Sequence, residues 1–383
     1  MSNWFRWLIA IISFALVQSA ASAVDINAFW AGKAHFEQVG SFNWTAALAG
    51  SPQEGDGWFA VHDGHWYVFN RAPALTANSA CPQDHTRVVI RESNDRGRSW
   101  SAPTTAVAPG ASPVGDLCAV LDGSSFYDRD TNTWHMLAQC LDRPGFGGWD
   151  LCHYTLKGSS PLGLFTADPR NPVVRGGALW SQICSGTGKS CPPGTIDEGT
   201  PDIVAKRDGR FLVTFHGYDP RTKDGFRGVT TTRDFESWQV SGDTLPNDAT
   251  LGPADCRAWL ADCSGVGEGD ALITPGHIYM IVERMNKGLL CTTNQDWKFE
   301  LVRTSGEEWP RSGGGAWQKL PGAALLGPAR PNAATVCPVS YARWLVDGAS
   351  LYLVYEDADP GRTFVHRRLM KLVAGSGPTV KSQ

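Results

Sequence analysis

Four times along the chain a carboxylate stands at the start of an apolar run: Asp56, Asp122, Glu198 (beside Asp197, with Asp202 close behind) and Glu268. Other polar residues close the runs that follow, among them Arg71, Gln139, His216, the pair Glu283-Arg284, and Glu356-Asp357. If the fold gathers these positions, like charges raise one another's pKa, so one group keeps its proton while another loses it. A protonated acid beside an ionised base is what cleavage of a glycosidic bond requires. The bland reading of the same acids is that they bind turn amides or a structural cation.

The elements that must position them are hairpins. The stretch DGWFAVHDGHWYVFNR (Asp56 to Arg71) holds two short apolar runs around Asp63-Gly64, a strong hairpin signal. Related units occur at Ser124 to Gln139, Asp202 to His216, Ala271 to Arg284 and Trp344 to Asp357. Their turn residues Gly64, Asn132, Gly209, Gly276 and Gly348 recur at intervals of 68, 77, 67 and 72 residues. One such unit cannot bury its own apolar face, so a repeat at this period predicts sheets packed around an axis. Little of the chain has a 3.6-residue rhythm. The expectation is an all-β, five-bladed β-propeller over residues 24–383, with a strand from His35 to Trp44 completing the last blade. In a blade the first strand lines the channel and the second runs back. The carboxylates and the polar run ends therefore meet on one face.

Ser93-Asn94-Asp95-Arg96-Gly97-Arg98-Ser99-Trp100 reads S-x-D-x-G-x-x-W, a structural propeller turn known as the Asp box, and Thr231 to Trp238 is a looser echo. The Asp carboxylate is expected to bind turn amides while Gly supplies a positive φ.

Composition narrows the function. The net charge of −4 and a charged fraction of 19% leave no basic field for nucleic acid. Arg6, the apolar run from Trp7 to Val17 and Ala21-Ser22-Ala23 read as a signal peptide over residues 1–23, and the run is too short to span a membrane. All 10 Cys follow it, an even number suited to an oxidising, secreted or periplasmic location. The spacing favours Cys184–Cys191, Cys256–Cys263 and Cys140–Cys152. Cys81, Cys118, Cys291 and Cys337 cannot be paired from sequence, and no CxxC supports zinc.

The first hairpin resembles the opening blade of the five-bladed family 43 glycoside hydrolases, in which D-P begins the blade with the general base. Asp122 to Asp128 (DGSSFYD) resembles the transition-state-stabilising stretch of families 32 and 68. Asp197-Glu198-Gly199-Thr200-Pro201 resembles their E-G-P motif, whose Glu is the general acid. Gly57 and Gly123 stand where the families have Pro, and Thr200 is inserted before Pro201. The resemblance implies a glycosidase acting on an arabinan-, xylan- or fructan-like poly- or oligosaccharide, with Asp56, Asp122 and Glu198 catalytic and Glu268 in reserve as the acid. Arg71, Gln139, His216 and Glu283 would bind substrate, and Trp58 and Trp149 would offer stacking faces. No cofactor or metal is called for, although a structural cation in the channel fits a ring of acids. The expected protein is a monomer without nucleic-acid or membrane partners. Rival readings are a non-catalytic carbohydrate-binding propeller and a sialidase-like enzyme using Arg71, Arg284 and Arg343. A lyase using His216-Gly217-Tyr218 or His153-Tyr154 is a third.

Overall fold

The computed structural model describes residues 25–42, 55–76, 78–81, 85–142, 149–179, 199–219, 222, 224–240, 249–259, 261, 263–286, 298–321, 339–358 and 365–375. After a one-turn helix, Ile26–Trp30, the chain enters β1 (Ala34–Phe42). The first sheet then follows as β2 (Gly55–His62), β3 (His65–Pro73), β4 (Thr86–Ser93) and β5 (Thr104–Val107). The second is β6 (Ala119–Asp128), β7 (Thr133–Leu141), β8 (Asp150–Lys157) and β9 (Thr166–Ala167). The third comprises β10 (Gly199–Arg207), β11 (Arg210–Asp219) and β12 (Asp224–Thr232), with β13 (Trp238–Val240) and β14 (Ala249–Leu251) both on the edge of β12. The fourth is β15 (Cys263–Thr274), β16 (His277–Asn286), β17 (Lys298–Arg303) and β18 (Gln318–Lys319). The fifth is β19 (Val339–Asp347), β20 (Ser350–Ala358) and β21 (Val365–Ala374). Its fourth strand is β1, antiparallel to β21 from Ala34/Ala374 to Phe42/Arg367. The closing strand therefore comes from the segment the sequence pointed to.

Within each sheet the strands run antiparallel in chain order. The inner strands β2, β6, β10, β15 and β19 each pack on the next, and β19 returns to β2. The five turn markers all lie between first and second strands at positive φ: Gly64 80°, Asn132 50°, Gly209 71°, Gly276 85° and Gly348 57°. Neighbouring sheets touch through single parallel bridges, Thr86/Ala119 and Gly225/Gly265. Gly265, at φ 126°, presses on Gly225 so closely that a Cβ would run into the Gly225 carbonyl.

The core is divided into slabs between consecutive sheets, which explains the sequence of the middle strands. In β3, Trp66 and Val68 face the fifth sheet while Tyr67 and Phe69 face the second. In β16, Ile278, Met280 and Val282 pack in one slab, and Tyr279 and Ile281 in the next. A strand buried on both faces reads as a continuous apolar run rather than an alternating one.

The Ser93–Trp100 turn forms as expected: Asp95 Oδ1 accepts from Ser99 N at 2.9 Å, and Gly97 takes φ 81° beside Trp66 and Trp100. In the echo, Asp234 Oδ1 accepts from Glu236 N and Ser237 N, and Phe235 holds φ 56°. Cys140–Cys152 and Cys256–Cys263 are bonded, and Cys81 pairs with Cys118 across 37 residues. Cys184 and Cys191 lie outside the described residues. The region between Val240 and Gly267 contains β14, a helical turn at Pro253–Cys256 and the start of β15. The Asp255 carboxylate organises it, accepting from Gly252 N, Ser312 Oγ and Gly313 N.

Candidate active site

All five inner strands carry an extra residue relative to their partner at corresponding places, and β10 and β15 each carry a second elsewhere. The ladder steps from Gly55/Arg71 to Gly57/Asn70, from Val120/Cys140 to Gly123/Ala138 and from Gly199/His216 to Asp202/Thr214. It likewise steps from Val266/Arg284 to Gly269/Val282 and from Ser340/Glu356 to Arg343/Val354. Such a bulge bends a strand and re-aims a side chain. The residue immediately before the ladder resumes is Asp56, Asp122, Pro201, Glu268 and Ala342 in turn. Asp56, Asp122 and Glu268 therefore occupy one structural position, repeated in three sheets. The side chain of Asp56, together with Asp197 and Glu198, lies outside the described residues; Glu198 directly precedes Gly199, the first residue of β10.

Bulge amides turn away from the ladder, and second-strand side chains take them up. The Gln139 Oε1 accepts from Thr200 N in the neighbouring sheet. Glu283 accepts from Glu268 N at 3.1 Å and from Tyr341 N at 3.4 Å. Thr200 and Tyr341 sit at φ 31° and 54°, a region costly for residues with a Cβ. Gln139 and Glu283, expected to bind substrate, are thus 6% and 4% exposed and bound to backbone.

Charge in the channel is organised by Arg343 on β19. Its Nη2 lies 2.6 Å from Glu268 Oε1, both groups buried. Burial alone would weaken the guanidinium's hold on its proton, but Glu268, Asp270, Asp202 and Asp122 around it hold its pKa above the usual range. Arg71 Nη1 stands 3.9 Å from Asp122 Oδ2. Arg227 on β12 is fully buried and donates to Thr200 O (3.2 Å), Thr200 Oγ1 (3.0 Å) and Thr214 Oγ1 (2.7 Å). Burial and the Arg343 charge push Arg227 down to about 10. Burial and Arg227 together push His216 down to about 3, so its imidazole is neutral at ordinary pH. Among the described residues, no group of three or more His, Cys, Asp or Glu side chains is arranged to hold a metal ion.

On the turn side of the bulges the channel widens into a cavity of about 190 Å³ lined by Trp58, Ser125, Asp202, Asp270, Arg343 and Trp344. Asp202 and Asp270 both line it, and Asp270 Oδ2 accepts from Trp344 N at 2.6 Å.

No protein-family model matches the chain, and no curated protein matches it in sequence. Solved structures do match. In fold, the chain resembles the propeller glycoside hydrolases. One glycoside hydrolase superposes with a TM-score of 0.58 at 10% identity, over 86% of this chain and 89% of that one. Zg3597, a family 117 glycoside hydrolase from the marine bacterium Zobellia galactanivorans, gives 0.53 at 11% identity, over 91% and 92%. The α-L-arabinofuranosidase CtGH43 from Clostridium thermocellum gives 0.51 at 13% identity, over 82% and 86%. At these identities the likeness is one of fold.

Within that propeller glycoside hydrolase fold, several expected residues belong to the scaffold. Trp58 is 2% exposed, stacks on Phe69 at 5.6 Å and donates to Ser125 Oγ, so its face is not open to a sugar. Trp149 packs with Leu121, Leu141 and the Cys81–Cys118 bridge. Each of the arginines named for a sialidase-like site faces a carboxylate of the protein: Arg71 stands by Asp122, Arg284 pairs with Glu300 at 3.4 Å, and Arg343 pairs with Glu268. His153 is buried between His135 and Asp168 under Phe235, and Tyr154 donates to Asp116, so this pair is structural. Arg227 carried no motif. Its only signal was a cation inside an otherwise apolar and Thr-rich strand, the same signal Arg343 gives in YARWLV.

The Asp202/Asp270 contact predicts a pH effect. Burial, then the Asp202 charge, raises the Asp270 pKa well above normal, against the pull of Arg343 and Trp344 N. The folded state thus binds this proton more tightly than the unfolded chain, and stability falls as pH rises above about 4 toward the raised value. Asp270→Asn keeps the acceptor for Trp344 N without the titration. Thermal midpoints from pH 4 to pH 8 are expected to fall more steeply for wild type than for Asp270→Asn. Parallel curves would show that the pair does not titrate.

Proposed function

We propose that the chain is a secreted glycoside hydrolase that cleaves an arabinan-, xylan- or fructan-like poly- or oligosaccharide as a monomer. The observation that carries this reading is the bulge position shared by Asp56, Asp122 and Glu268 around an axial arginine, in a fold held in common with glycoside hydrolases. Asp56 acts as general base or nucleophile at the anomeric carbon. Asp122, steered by Arg71 and Arg343, orients it and tunes the charge. Glu198 gives its proton to the departing oxygen.

Glu268 is the weaker choice for the acid because it serves as counter-ion to Arg343 at 2.6 Å, and an acid catalyst needs a proton to give. Arg71, partly exposed beside Asp122, and neutral His216 are suited to sugar hydroxyls. Three disulfides fit an oxidising compartment, and no helix among the described residues is long and apolar enough to cross a membrane.

The test is a panel of arabinans, xylans and fructans with detection of new reducing sugar, run beside Asp56→Asn. Wild type is expected to release sugar from at least one polymer, and Asp56→Asn to release essentially none. Binding without release by wild type would instead make this a carbohydrate-binding propeller.

A further inference from the structure

We infer that the stacked pair His135–His153 is an acid-sensitive latch between the second and third sheets, closed at neutral pH and released by proton uptake. It draws on none of the channel carboxylates and stands apart from the proposed reaction.

His135 on β7 and His153 on β8 lie with their rings parallel to within 10° and joined by a hydrogen bond, Nδ1 to Nε2, at 3.0 Å. The third sheet closes over them. The Phe235 ring is 3.9 Å from His153 and 5.2 Å from His135, and Phe211 stands 4.9 Å from His135. Phe235 holds φ 56° to reach this place, a costly region for a bulky residue. Arg170 fastens the same turn from the second sheet's side, donating to Glu236 Oε2 at 2.6 Å and Asp234 O at 3.0 Å.

The geometry fixes the protons. Arg170 engages both oxygens of Asp168, at 2.8 and 2.7 Å, and keeps that carboxylate ionised against the cost of burial. An ionised carboxylate only accepts, so His153 Nδ1 donates to Asp168 Oδ2 at 3.1 Å. The contact between the two rings holds a single hydrogen. One place is left, His135 Nε2, which is buried without a hydrogen-bond partner. It stands 4.0 Å from Asp128 Oδ2, but Asp128 is already taken by Lys206 Nζ at 2.8 Å and Thr131 Oγ1 at 2.7 Å. Two separated histidines carry up to four ring protons. The closed pair has places for three, and the third place is poor.

The surrounding charges do not improve it. Burial first, then the His153, Lys206 and Lys157 charges, push His135 down to about 3 against the pull of Asp128. Burial also lowers His153, against Asp168. The other acids at the seam are spoken for: Asp130 by Lys206, Glu236 by Arg170, and Asp234 by turn amides. A free histidine titrates near pH 6.5, so opening takes up protons below about that pH, and the closed seam loses stability as pH falls.

The test is amide hydrogen exchange at pH 6.5 and pH 4.5, corrected for intrinsic rates, on wild type and His135→Gln. Glutamine offers an N–H to His153 and takes no proton. In wild type the opening of β11 and of the Thr232–Trp238 turn is expected to rise by about 10³-fold between the two pH values. In His135→Gln it should rise by about fiftyfold, the share of one histidine, with β16 unmoved in both. An equal rise in the two proteins would overturn the latch. So would an equal rise in β16 of wild type, since the ring would then be opening as a whole. If His135→Gln fails to fold, His135→Leu carries the same comparison.

Discussion

Replacing Asp122 by asparagine is expected to lower kcat by about 10²- to 10⁴-fold while the ring stays folded. Asp122 is 5% exposed at the bulge of β6, with Arg71 Nη1 at 3.9 Å and Arg343 close enough to feel its charge. Asparagine matches the carboxylate in size and keeps one acceptor oxygen, so the packing around Gly123 and Ala138 is retained. What it removes is the negative charge that Arg71 and Arg343 meet, and with it the field felt by the neighbouring carboxyls. The loss should appear in kcat on the active polymer, with the thermal midpoint moving by only a few degrees. An unchanged kcat would take Asp122 out of the reaction and leave it as a counter-ion for Arg71.

Arg343→Met is expected to be the most damaging single change to the fold, at about 3–5 kcal/mol, because it strands buried carboxyls that the guanidinium now faces. Methionine approximates the stem of the side chain, so the cost is electrostatic more than steric. Glu268→Gln in the same chain should restore part of the loss, since the partner 2.6 Å away would no longer be charged. Urea midpoints of the wild type, both single variants and the double variant close the cycle. Purely additive effects would show that the ion pair contributes nothing by itself.

The repeat, the turns and the closing strand could be read from the sequence because they depend on local chemistry. Gly64, Asn132, Gly209, Gly276 and Gly348 announce themselves by type, and the both-faces-buried middle strands by unbroken runs such as Trp66 to Phe69. The Cys140–Cys152 and Cys256–Cys263 bridges were legible for the same reason, whereas Cys81–Cys118 joins two loops that only the packing of neighbouring sheets brings together. The level of the carboxylates was legible at Asp56, Asp122 and Glu268 because each precedes a glycine: a Cβ at Gly123 or Gly269 would meet the backbone of the second strand. The third sheet breaks that pattern with Pro201. There Asp202 lies past the bulge and lines the cavity together with Asp270. Gln139 and Glu283 were found by position but assigned to sugar, since no sequence rule reveals a bulge amide waiting one sheet away. Arg227 is held by Thr200 and Thr214 of its own sheet, whereas Arg343 faces carboxyls of three other sheets, and that is information only the closed ring contains.

The pairing of β1 with β21 also dictates an order of events. His35 and Gly375, joined at 3.0 Å, are 340 residues apart, so the fifth sheet is built from the earliest strand of the ring and the last three. Four sheets can form as hairpins from neighbouring sequence, each contact closing a short loop. The fifth cannot be completed until β21 has been synthesised, and its closure carries the entropy of the longest loop in the molecule. Until then β1 and β20 each present an open strand edge, the kind of surface that invites pairing with another chain. Completion of the axial site, which draws Arg343 from that same late sheet, is thereby tied to the last topological step of folding.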